Sequence, residues 1–341
     1  MSEKKLRTVI IGMGRMGKTR YEAMRRHGGF EIVGLCDVCT ERLEYYGLPV
    51  FSEWQKCLEE LEPEAVFVCT INKEIPQIVC AALEKGMAVF SEKPPGRNLA
   101  DAERMRDARD KTNGILKFGF NHRYHNSVIE AKALIDSKIL GEVVCVRGVY
   151  GKAGTQDFPR EWRNDPAQSG GGILLDQGIH MVDLMCYLTD SDMKIMNSNV
   201  DNLVWKHMKT EDSAMATLRT DKGQLVSLHS SAVQWKHKFD MDIICTKGYI
   251  ALNGLLTSTR SYGEETITYY KKDLEMKTGR LGKPKEYTMC FDEDSSWDIE
   301  IAEFYEMLAH GQPMKNGKPE EAVRVMRIIK DIYETAKTVK R

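Results

Sequence analysis

A glycine-rich loop near the start of the chain has the residue types and spacing that hold a pyrophosphate. The loop directly follows an apolar run and consists of Gly12, Met13, Gly14, Arg15, Met16 and Gly17. In such a loop the first glycine permits a tight turn, the second lets the backbone approach the phosphates, and the third lets the following helix pack closely on the strand. The N–H groups that begin this helix then face the phosphates. The loop predicts a dinucleotide site, and the alternative is a glycine turn that binds no nucleotide.

The second predicted strand ends in an acidic residue, Asp37, which lies 20 residues beyond Gly17. A carboxylate at this place accepts hydrogen bonds from the hydroxyl groups of the adenosine ribose. It also repels the additional phosphate that NADP carries on that ribose. The sequence therefore predicts NAD as the cofactor and disfavours NADP.

Two further motifs contain polar residues that are candidates for chemistry. Lys93 follows the apolar run 87–90, at the carboxyl edge of a predicted parallel sheet, where ligands of such sheets bind. Asp176 and His180 are four residues apart and share one face of a helix if that helix is continuous through both. The alternatives are a solvated lysine and a local hydrogen bond between aspartate and histidine. Gly178 lies between them and costs a helix about 1 kcal/mol relative to alanine, which suggests another purpose for these positions.

The elements that must position the front motifs alternate between strand and helix over the first 120 residues. Apolar runs predict strands at 8–11, 31–37, 65–69, 87–90 and 115–120. Between them, Ser52 and Gln55 form a capping box before one predicted helix, and Gly86 follows another at a C-cap position. Continuous apolar strands joined by helices indicate a parallel sheet covered on both faces. The fold class is therefore α/β, beginning with a doubly wound parallel sheet of the Rossmann type.

The pattern changes after residue 122. Residues 128–135 predict an amphipathic helix, 143–149 a strand, and 322–333 a final helix, whereas 271–288 are charged and predict an exposed loop. From residue 200 the signals are hairpins, with turns at 221–223 and 247–248. We expect an α+β domain with a large, mostly antiparallel open sheet. The predicted division is a dinucleotide-binding Rossmann domain over 1–122 and a substrate-binding, catalytic and oligomerisation domain over 123–341.

Composition excludes several classes of partner. The 341 residues carry 49 basic and 50 acidic side chains, a net charge of −1, without a long run of one sign. This balance argues against nucleic acid and anionic membrane surfaces, and no apolar stretch approaches the roughly 20 residues of a membrane span. The nine cysteines are odd in number and lie mostly in apolar runs, as buried thiols do. We therefore expect a cytoplasmic protein.

Two short motifs invite a metal or redox interpretation. Cys36 and Cys39 form a CxxC, and His122 and His125 form an HxxH. A zinc site needs further ligands at suitable spacing, and neither motif is accompanied by them. The sequence therefore predicts no metal site, and packing at a strand end is the better account of the cysteine pair.

Taken together, the motifs resemble the Gfo/Idh/MocA family, which includes glucose-fructose oxidoreductases and inositol dehydrogenases. The resemblance spans nearly the whole chain. It depends on the glycine loop and on the motifs at 91–94, 119–124 and 170–183, in that order and spacing. It implies the two-domain fold described above, an NAD cofactor, and a homodimer or homotetramer formed through the open face of the second sheet.

The resemblance implies catalytic roles for Lys93, Asp176 and His180. Lys93 would contact both cofactor and substrate hydroxyl, and as a cation it would stabilise the developing alkoxide. A neutral histidine titrates in the range in which it takes the hydroxyl proton while hydride leaves the adjacent carbon. Asp176 would hold the histidine or the substrate by hydrogen bonds. Whether His180 or Lys93 is the base stays open.

The resemblance also assigns residues around the cofactor and the substrate. The additional cofactor positions, besides Lys93 itself, are Thr70, Asn72, Glu92 and Asn121. The additional substrate positions are Arg123, Trp162 and Arg163, and a core aromatic is an equal interpretation of Trp162. A locally basic stretch either grips a phosphorylated or nucleotide-linked sugar or is a solvated loop; its basic residues are Arg147, Lys152, Arg160 and Arg163.

The chain departs from the family pattern in two places. Ile71 and Ile75 stand where the family usually has proline and histidine, and no proline follows Tyr124. The first departure weakens the expected cofactor contact at that histidine position. Neither departure alters the expected fold.

The function favoured by these motifs is hydride transfer between NAD and a secondary alcohol of a sugar or nucleotide-linked sugar. The alternatives are a cyclitol dehydrogenase of the inositol type, a non-catalytic NAD-binding sensor or repressor, and an NAD-dependent glycosidase. Sensors built on this fold tend to lose the lysine or the histidine, whereas this chain has Lys93, Asp176 and His180.

Overall fold

The computed structural model describes residues 5–272 and 285–338, and the chain folds into two compact units. The first unit comprises Met1–Asn121, Ala167–Gly170 and Ser296–Met326, and the second comprises His122–Pro166, Gly171–Ser295 and Arg327–Arg341. The chain first changes unit after Asn121, one residue before the division expected from the sequence. Two later segments return to the first unit, which a division by sequence position alone does not anticipate.

The described strands and helices have the following bounds. The strands are β1 (Leu6–Ile11), β2 (Phe30–Cys36), β3 (Val50–Phe51), β4 (Ala65–Val68), β5 (Ala88–Glu92), β6 (Leu116–Gly119), β7 (Val143–Gly151), β8 (Met193–Asp201), β9 (Ser213–Thr220), β10 (Leu225–Ser231), β11 (Lys238–Cys245), β12 (Gly248–Asn253), β13 (Glu265–Lys271) and β14 (Tyr287–Phe291). The helices are α1 (Arg15–His27), α2 (Trp54–Leu61), α3 (Ile75–Glu84), α4 (Leu99–Thr112), α5 (Asn126–Asp136), α6 (Pro166–Ser169), α7 (Ile179–Thr189), α8 (Ser296–His310) and α9 (Pro319–Thr338).

The first unit contains a parallel sheet with the strand order β3-β2-β1-β4-β5-β6. Every residue of β4, β5 and β6 is buried, as expected of parallel strands covered on both faces. The order reverses at β1, so the loops after β1 and β4 leave the same edge of the sheet on either side of the switch point, where ligands bind. The expected Rossmann sheet is therefore confirmed.

One local expectation in this unit is wrong. The helix expected to begin with a Ser52 capping box begins at Trp54, with Glu53 as its N-cap residue and no side-chain capping bond. The reason is the short strand β3, which sequence reading missed: it pairs with β2 as far as Phe51 and carries the extended backbone past the expected cap. Gly86, in contrast, has a φ of +78° directly after the C-cap of α3, as expected of a glycine that ends a helix.

The core of the first unit includes a helix from late in the chain. Ile301, Phe304 and Tyr305 of α8 are buried in the same apolar cluster as Phe67 of β4 and Phe90 of β5. The rings of Phe67 and Phe90 stack with centroids 4.9 Å apart, and Phe304 meets both at 5.5 Å. Burying a side chain of this size contributes about 1.5–3 kcal/mol, so α8 is an integral part of the first unit.

The second unit contains a larger sheet with the strand order β14-β13-β12-β11-β7-β10-β9-β8. Strands β7 and β10 are parallel, and the other described neighbours are antiparallel. The hairpins expected around 221–223 and 247–248 join β9 to β10 and β11 to β12. Of the exposed loop expected over 271–288, residue 271 ends β13, residues 287 and 288 belong to β14, and 273–284 lie outside the described residues.

The two faces of this sheet differ in burial. Along β9, Ala214, Ala216 and Leu218 are buried, whereas Met215 between them is exposed. The buried face packs on α7, and a Cβ atom added at Gly148 of β7 would lie 2.8 Å from the terminal methyl group of Met185. The mostly antiparallel sheet therefore has one covered face and one open face, as the sequence predicts.

The described residues contain no helix that is both long and apolar enough to cross a membrane. Within the same residues no cluster of three or more His, Cys, Asp or Glu side chains is arranged to hold a metal ion. Burial, with a smaller effect of Asp37, raises the pKa of the Cys36 thiol to about 12. Cys36 is therefore a protonated packing residue at neutral pH, in keeping with the packing interpretation of the CxxC.

Candidate active site

The glycine loop has the shape of a phosphate cradle. Gly12 has a φ of +92°, and a Cβ atom there would lie 2.6 Å from the Cys69 carbonyl group, while one at Gly17 would lie 2.0 Å from the Gly12 oxygen. A Cβ atom at Gly14, in contrast, would have nothing within 4 Å. The open space beside Gly14 adjoins the first turn of α1, whose N–H groups attract anions. The residues present fit the pyrophosphate of a dinucleotide.

Asp37 is bound to the same loop. Its Oδ2 accepts a hydrogen bond of 2.7 Å from the Met13 N–H, and its Oδ1 accepts one of 3.0 Å from the Cys39 N–H. Each carboxylate oxygen has a second lone pair for a further donor. The end of β2 and the glycine loop are therefore held together by the carboxylate that the sequence assigns to the ribose.

The loop after β4 contains Thr70, which is half-buried, and Asn72, which is buried. The Asn72 amide donates to the Ser169 carbonyl oxygen at 2.8 Å, and the Lys73 N–H donates to the Gln168 carbonyl oxygen at 3.0 Å. These bonds hold the segment 167–170 in the first unit. Ile75, where the family usually has histidine, is the first residue of α3 and is buried in the core.

Glu92 and Lys93 lie at the end of β5. Lys93 is half-buried, and the peptide bond between Lys93 and Pro94 is cis. The Glu92 carboxylate points into the protein, where it accepts a hydrogen bond of 2.6 Å from Arg20 Nε. The structure thus gives Glu92 a protein partner, and its expected contact with the cofactor stays a prediction.

The residues of the motif at 119–124 divide between the two units. Asn121 is buried and is the last residue before the chain leaves the first unit. Arg123 is fully buried in the second unit, where its Nε and Nη2 atoms bind the two carboxylate oxygens of Asp183 at 2.9 and 2.6 Å. Arg123 thus has a structural partner in its own unit, and its substrate contact stays a prediction.

The helix through the motif at 170–183 is not a regular α-helix. Residues Leu174–Gly178 form a π-helical segment, and the α-helical geometry of α7 begins only at Ile179. The helix is continuous through Asp176 and His180, as their shared face requires, although the turn that carries Asp176 is π-helical. Gly178 is explained by close packing, because a Cβ atom there would lie 3.1 Å from the Ser230 side chain of β10. Single π turns within α-helices are frequent at functional sites.

Two cations hold the Asp176 carboxylate. Lys152 Nζ lies 2.6 Å from Oδ2, and Arg163 Nε lies 3.4 Å from Oδ1. Lys152 directly follows β7, whereas Arg163 belongs to the short helical turn Trp162–Asn164 and lies over the half-buried Trp162 ring, 4.6 Å from its centroid. The contacts order both Trp162 and Arg163 beside a predicted catalytic residue.

The remaining arginines of the basic stretch lie elsewhere. Arg147 pairs with Asp242 at 2.8 Å on exposed parts of β7 and β11, and Arg160 pairs with Asp157 in an exposed turn. In the sequence, Lys152 lies just beyond the predicted strand 143–149, within the locally basic stretch. Sequence reading could not separate it from its solvated neighbours.

His180 is buried and stacks on His122, with ring centroids 3.6 Å apart and an angle of 16° between the rings. The His122 Nε2 atom is hydrogen-bonded to the Tyr150 hydroxyl group at 2.9 Å. Sequence reading considered His122 only as half of an HxxH motif and missed Tyr150. The stacking fixes the plane of the predicted base, since a ring packed face to face cannot rotate freely.

The second histidine of the HxxH has its own partner. His125 Nδ1 lies 2.8 Å from Glu265 Oε2, and the same carboxylate accepts hydrogen bonds from the N–H groups of Ser127 and Leu256. Burial acts to raise the pKa of Glu265, but the His125 hydrogen bond and charge and the backbone donors outweigh it and lower that pKa. The two histidines thus have different hydrogen-bond partners, Tyr150 and Glu265.

Glu211 supports the start of the motif that carries Asp176. Its buried carboxylate accepts hydrogen bonds from the N–H groups of Gly172 and Leu174 and from the Tyr333 hydroxyl group at 2.8 Å. Burial raises the pKa of Glu211, although these donors act in the opposite direction. The carboxylate satisfies N–H groups that a helix start leaves without internal partners. No local sequence signal indicated this role.

Two family models match the chain. One, described as the oxidoreductase family with an NAD-binding Rossmann fold, covers residues 6–120, and the other, the GFO/IDH/MocA C-terminal domain, covers residues 128–251. The chain belongs to the Gfo/Idh/MocA oxidoreductase family. It is accordingly an oxidoreductase with an NAD-binding Rossmann domain.

Individual relatives extend over most of the chain. It is 26% identical to a myo-inositol 2-dehydrogenase of Thermotoga maritima over 74% of this chain and 77% of that protein. It is 23% identical to an inositol 2-dehydrogenase of Salmonella typhimurium over 90% of this chain and 87% of that protein. The solved structure of a levoglucosan dehydrogenase with NADH and levoglucosan has the same fold, with a TM-score of 0.85, 20% identity and 98% of each chain covered.

Proposed function

We propose that this oxidoreductase is a dehydrogenase that oxidises a secondary alcohol of a sugar or nucleotide-linked sugar with NAD. The observation that carries the proposal is the Asp176 carboxylate, held by Lys152 and Arg163 in the same helical run as the buried His180. A fixed carboxylate orients a hydroxyl group, and a histidine accepts its proton. The match of residues 6–120 to an NAD-binding model supports the choice of redox chemistry.

The glycine loop and Asp37 would hold the cofactor. The open space beside Gly14 and the first turn of α1 fit a pyrophosphate, and Asp37 has lone pairs left for the ribose hydroxyl groups. Thr70, Asn72 and Asn121 are the further proposed contacts. When bound, NAD supplies the nicotinamide carbon that accepts the hydride. The carboxylate of Asp37 favours NAD over NADP because it repels a 2′-phosphate.

Lys93, Asp176 and His180 would act on the substrate. The Lys93 ammonium group stabilises the negative charge that develops on the alcohol oxygen. His180, held flat against His122, accepts the hydroxyl proton on a ring nitrogen. Asp176, fixed by Lys152, accepts a hydrogen bond from the substrate. Transfer of the proton to Lys93 instead is the alternative, and the two variants below distinguish them.

Substitutions of the two proposed proton carriers test these roles. Lys93→Met should lose turnover and retain binding of reduced cofactor, whereas wild-type rates in this variant would remove Lys93 from catalysis. His180→Ala should lower the rate and change its dependence on pH. A variant whose pH profile matches that of the wild type would exclude His180 as the base and leave Lys93 in that role.

Names of the relatives support the substrate class. They include myo-inositol 2-dehydrogenase, D-glucoside 3-dehydrogenase and glucose-6-phosphate 3-dehydrogenase. All of these names denote oxidation of a ring hydroxyl group. A cyclitol is therefore the second candidate substrate, favoured by the inositol dehydrogenases that align with 74–90% of this chain.

The deciding experiment is a substrate panel. Free sugars, cyclitols and nucleotide-linked sugars are each incubated with the protein and NAD, and the formation of NADH is followed by absorbance. We expect NADH to form with a sugar or a nucleotide-linked sugar. Turnover of cyclitols alone would support the second candidate, and no NADH with any member of the panel would contradict the proposed function.

A cytoplasmic location and a homo-oligomeric state belong to the same proposal. The location is supported by the nine cysteines, none of which forms a disulfide bond within the described residues. The oligomer is supported by the open face of the second sheet, which exposes Met196, Met215 and Leu225.

A further inference from the structure

A buried ionic cluster includes Glu92, the last residue of β5, which directly precedes Lys93. Arg20 of α1 is fully buried, and its Nε atom binds Glu92 Oε1 at 2.6 Å while its Nη1 atom lies 2.7 Å from Glu300 Oε2 of α8. The guanidinium group lies 4.4 Å from the ring centroid of Phe90 and 4.7 Å from that of Trp297. Apart from the expected cofactor contact of Glu92, the proposed roles of the cofactor loop and the catalytic residues make no use of this cluster.

Room for this arginine is built into a neighbouring strand. A Cβ atom at Gly119, which pairs with Glu92 in the register of β5 and β6, would lie 2.8 Å from Arg20 Nη2. A residue with a side chain at that position would displace the guanidinium group. Four elements therefore form or accommodate the cluster: α1, α8, the end of β5 and the end of β6.

Stability alone is a poor explanation for such a cluster. Removing three charged groups from water costs about as much as their mutual attraction returns, and apolar residues of the same shape often serve as well. Burial and Glu92 raise the pKa of Glu300 against the opposing effect of Arg20. The negative charge of Glu300 is therefore unfavourable in the cluster. What apolar residues could not supply is a directional bond to the last residue of β5.

We propose that Arg20 is a positioning residue that fixes the Glu92 side chain inside the first unit and thereby sets the direction in which Lys93 leaves the sheet. Glu92 is the last residue of β5 and Lys93 follows it covalently, so a fixed Glu92 side chain restricts the backbone at the point where Lys93 begins. Glu300 holds the other side of the guanidinium group and ties α8 to the same point. The inference rests on the proposed role of Lys93.

Amide hydrogen exchange tests the positional part without reference to activity. Arg20→Gln should speed exchange at residues 89–93 relative to the other strands of the same sheet. The matched control is Glu303→Gln, which breaks another, partly buried pair of α8, with Lys117 of β6 at 2.8 Å, and does not involve Glu92. Unchanged exchange at 89–93 in Arg20→Gln, or an equal increase in the control, would overturn the proposal.

A double-mutant cycle tests the catalytic part. Misplacement of a catalytic group by about 1 Å costs on the order of 100-fold in rate, so Arg20→Gln should lower kcat by about 10- to 100-fold with NADH binding retained. In the Lys93→Met background the same substitution should have no further effect on the residual rate. Equal losses of rate in both backgrounds would show a general structural effect and contradict the inference. An unimpaired Lys93→Met variant would instead refute the proposed function.

Two further variants keep the test valid if Arg20→Gln folds poorly. Arg20→Lys retains the charge but loses the two-sided fork, and we expect an intermediate kcat. The double variant Arg20→Met/Glu300→Met replaces two charges with apolar groups, and we expect it to fold while kcat stays low because Glu92 has lost its partner. Full activity of this folded double variant would show that the cluster serves stability only, and the proposal would be wrong.

Discussion

Asp183, the last residue of the motif at 170–183, binds Arg123, the arginine of the motif at 119–124. Both side chains have no exposed surface, and the guanidinium group contacts both carboxylate oxygens, at 2.9 and 2.6 Å. Arg123 also lies 4.9 Å from the ring centroid of Tyr187 on α7. Two motifs that the sequence connects only through family resemblance are thus joined by a buried ion pair within the second unit.

Breaking this pair should destabilise the second unit. Asp183→Asn leaves a buried guanidinium group without its counter-charge, at a cost of about 3–5 kcal/mol in the free energy of unfolding. The denaturant midpoint measures the effect. The control is Asp242→Asn, which breaks the exposed pair with Arg147 and should change the midpoint little. Equal midpoints for the two variants would show that the buried pair has no special contribution.

Lys152 should matter for turnover although it is not part of a recognised motif. Lys152→Met removes the 2.6 Å bond to Asp176, and we expect kcat/KM to fall by about 10- to 100-fold because the carboxylate is no longer fixed. Steady-state kinetics on the best substrate of the panel measure this. Arg160→Gln, in the same basic stretch but paired only with Asp157 in an exposed turn, is the control. A Lys152→Met enzyme as active as this control would remove Lys152 from the site.

Glu265 should make stability depend on acid pH. Its folded pKa is lowered, since the His125 and backbone hydrogen bonds outweigh the opposing effect of burial. The stability it contributes is therefore present above the ordinary value of 4.5 and is lost as pH falls through the folded pKa. The difference in unfolding free energy between wild type and Glu265→Gln should shrink from about pH 6 to about pH 3.

The neighbouring Glu264 provides the control for this titration. Glu264 is exposed, so Glu264→Gln should leave the slope of stability against pH as it is in the wild type. A Glu265→Gln variant that retains the full acid dependence would assign it to other carboxylates.

Asp37 should determine the choice of cofactor. Asp37→Ala removes the repulsion of a 2′-phosphate and also frees the N–H groups of Met13 and Cys39, so the preference for NAD over NADP should fall. The ratio of kcat/KM for the two cofactors measures this. Glu41→Gln, an exposed acidic residue in the turn after β2, should leave the ratio as it is. An unchanged ratio in Asp37→Ala would remove that residue from the ribose role.

The open face of the second sheet should carry the contact between copies of the chain. Met215 and Leu225 expose 54% and 50% of their surface there, and Met215→Glu places a charge in that apolar face. Sedimentation velocity should show a shift from oligomer to monomer. Val38→Glu, at a position of the first unit that is 92% exposed, is the control. A wild-type protein that sediments as a monomer would contradict the expected oligomer.

Short-range patterns predicted the fold well. The glycine loop, the strand runs and the two hairpin turns each involve residues close in sequence, and their steric requirements are local. The missed strand β3 has two residues, too few to form a period, and it displaced the start of α2 from the expected Ser52 cap. The π-helical geometry at 174–178 was also missed. The close approach of Gly178 to Ser230, far along the chain, could not be predicted from local pattern either.

The sequence by itself determined the class of chemistry: the dinucleotide loop, Asp37, and the residue types Lys93, Asp176 and His180. Only the tertiary structure decided what holds them. Lys152 pairs with Asp176, and His122 stacks on His180. Glu211 accepts hydrogen bonds at the start of their helix, and Arg20 pairs with both Glu92 and Glu300. The physical reason is sequence distance. A turn or a helix cap is specified by neighbours, whereas a buried ion pair such as that of Arg20 and Glu300 exists only after the chain has closed the core between them.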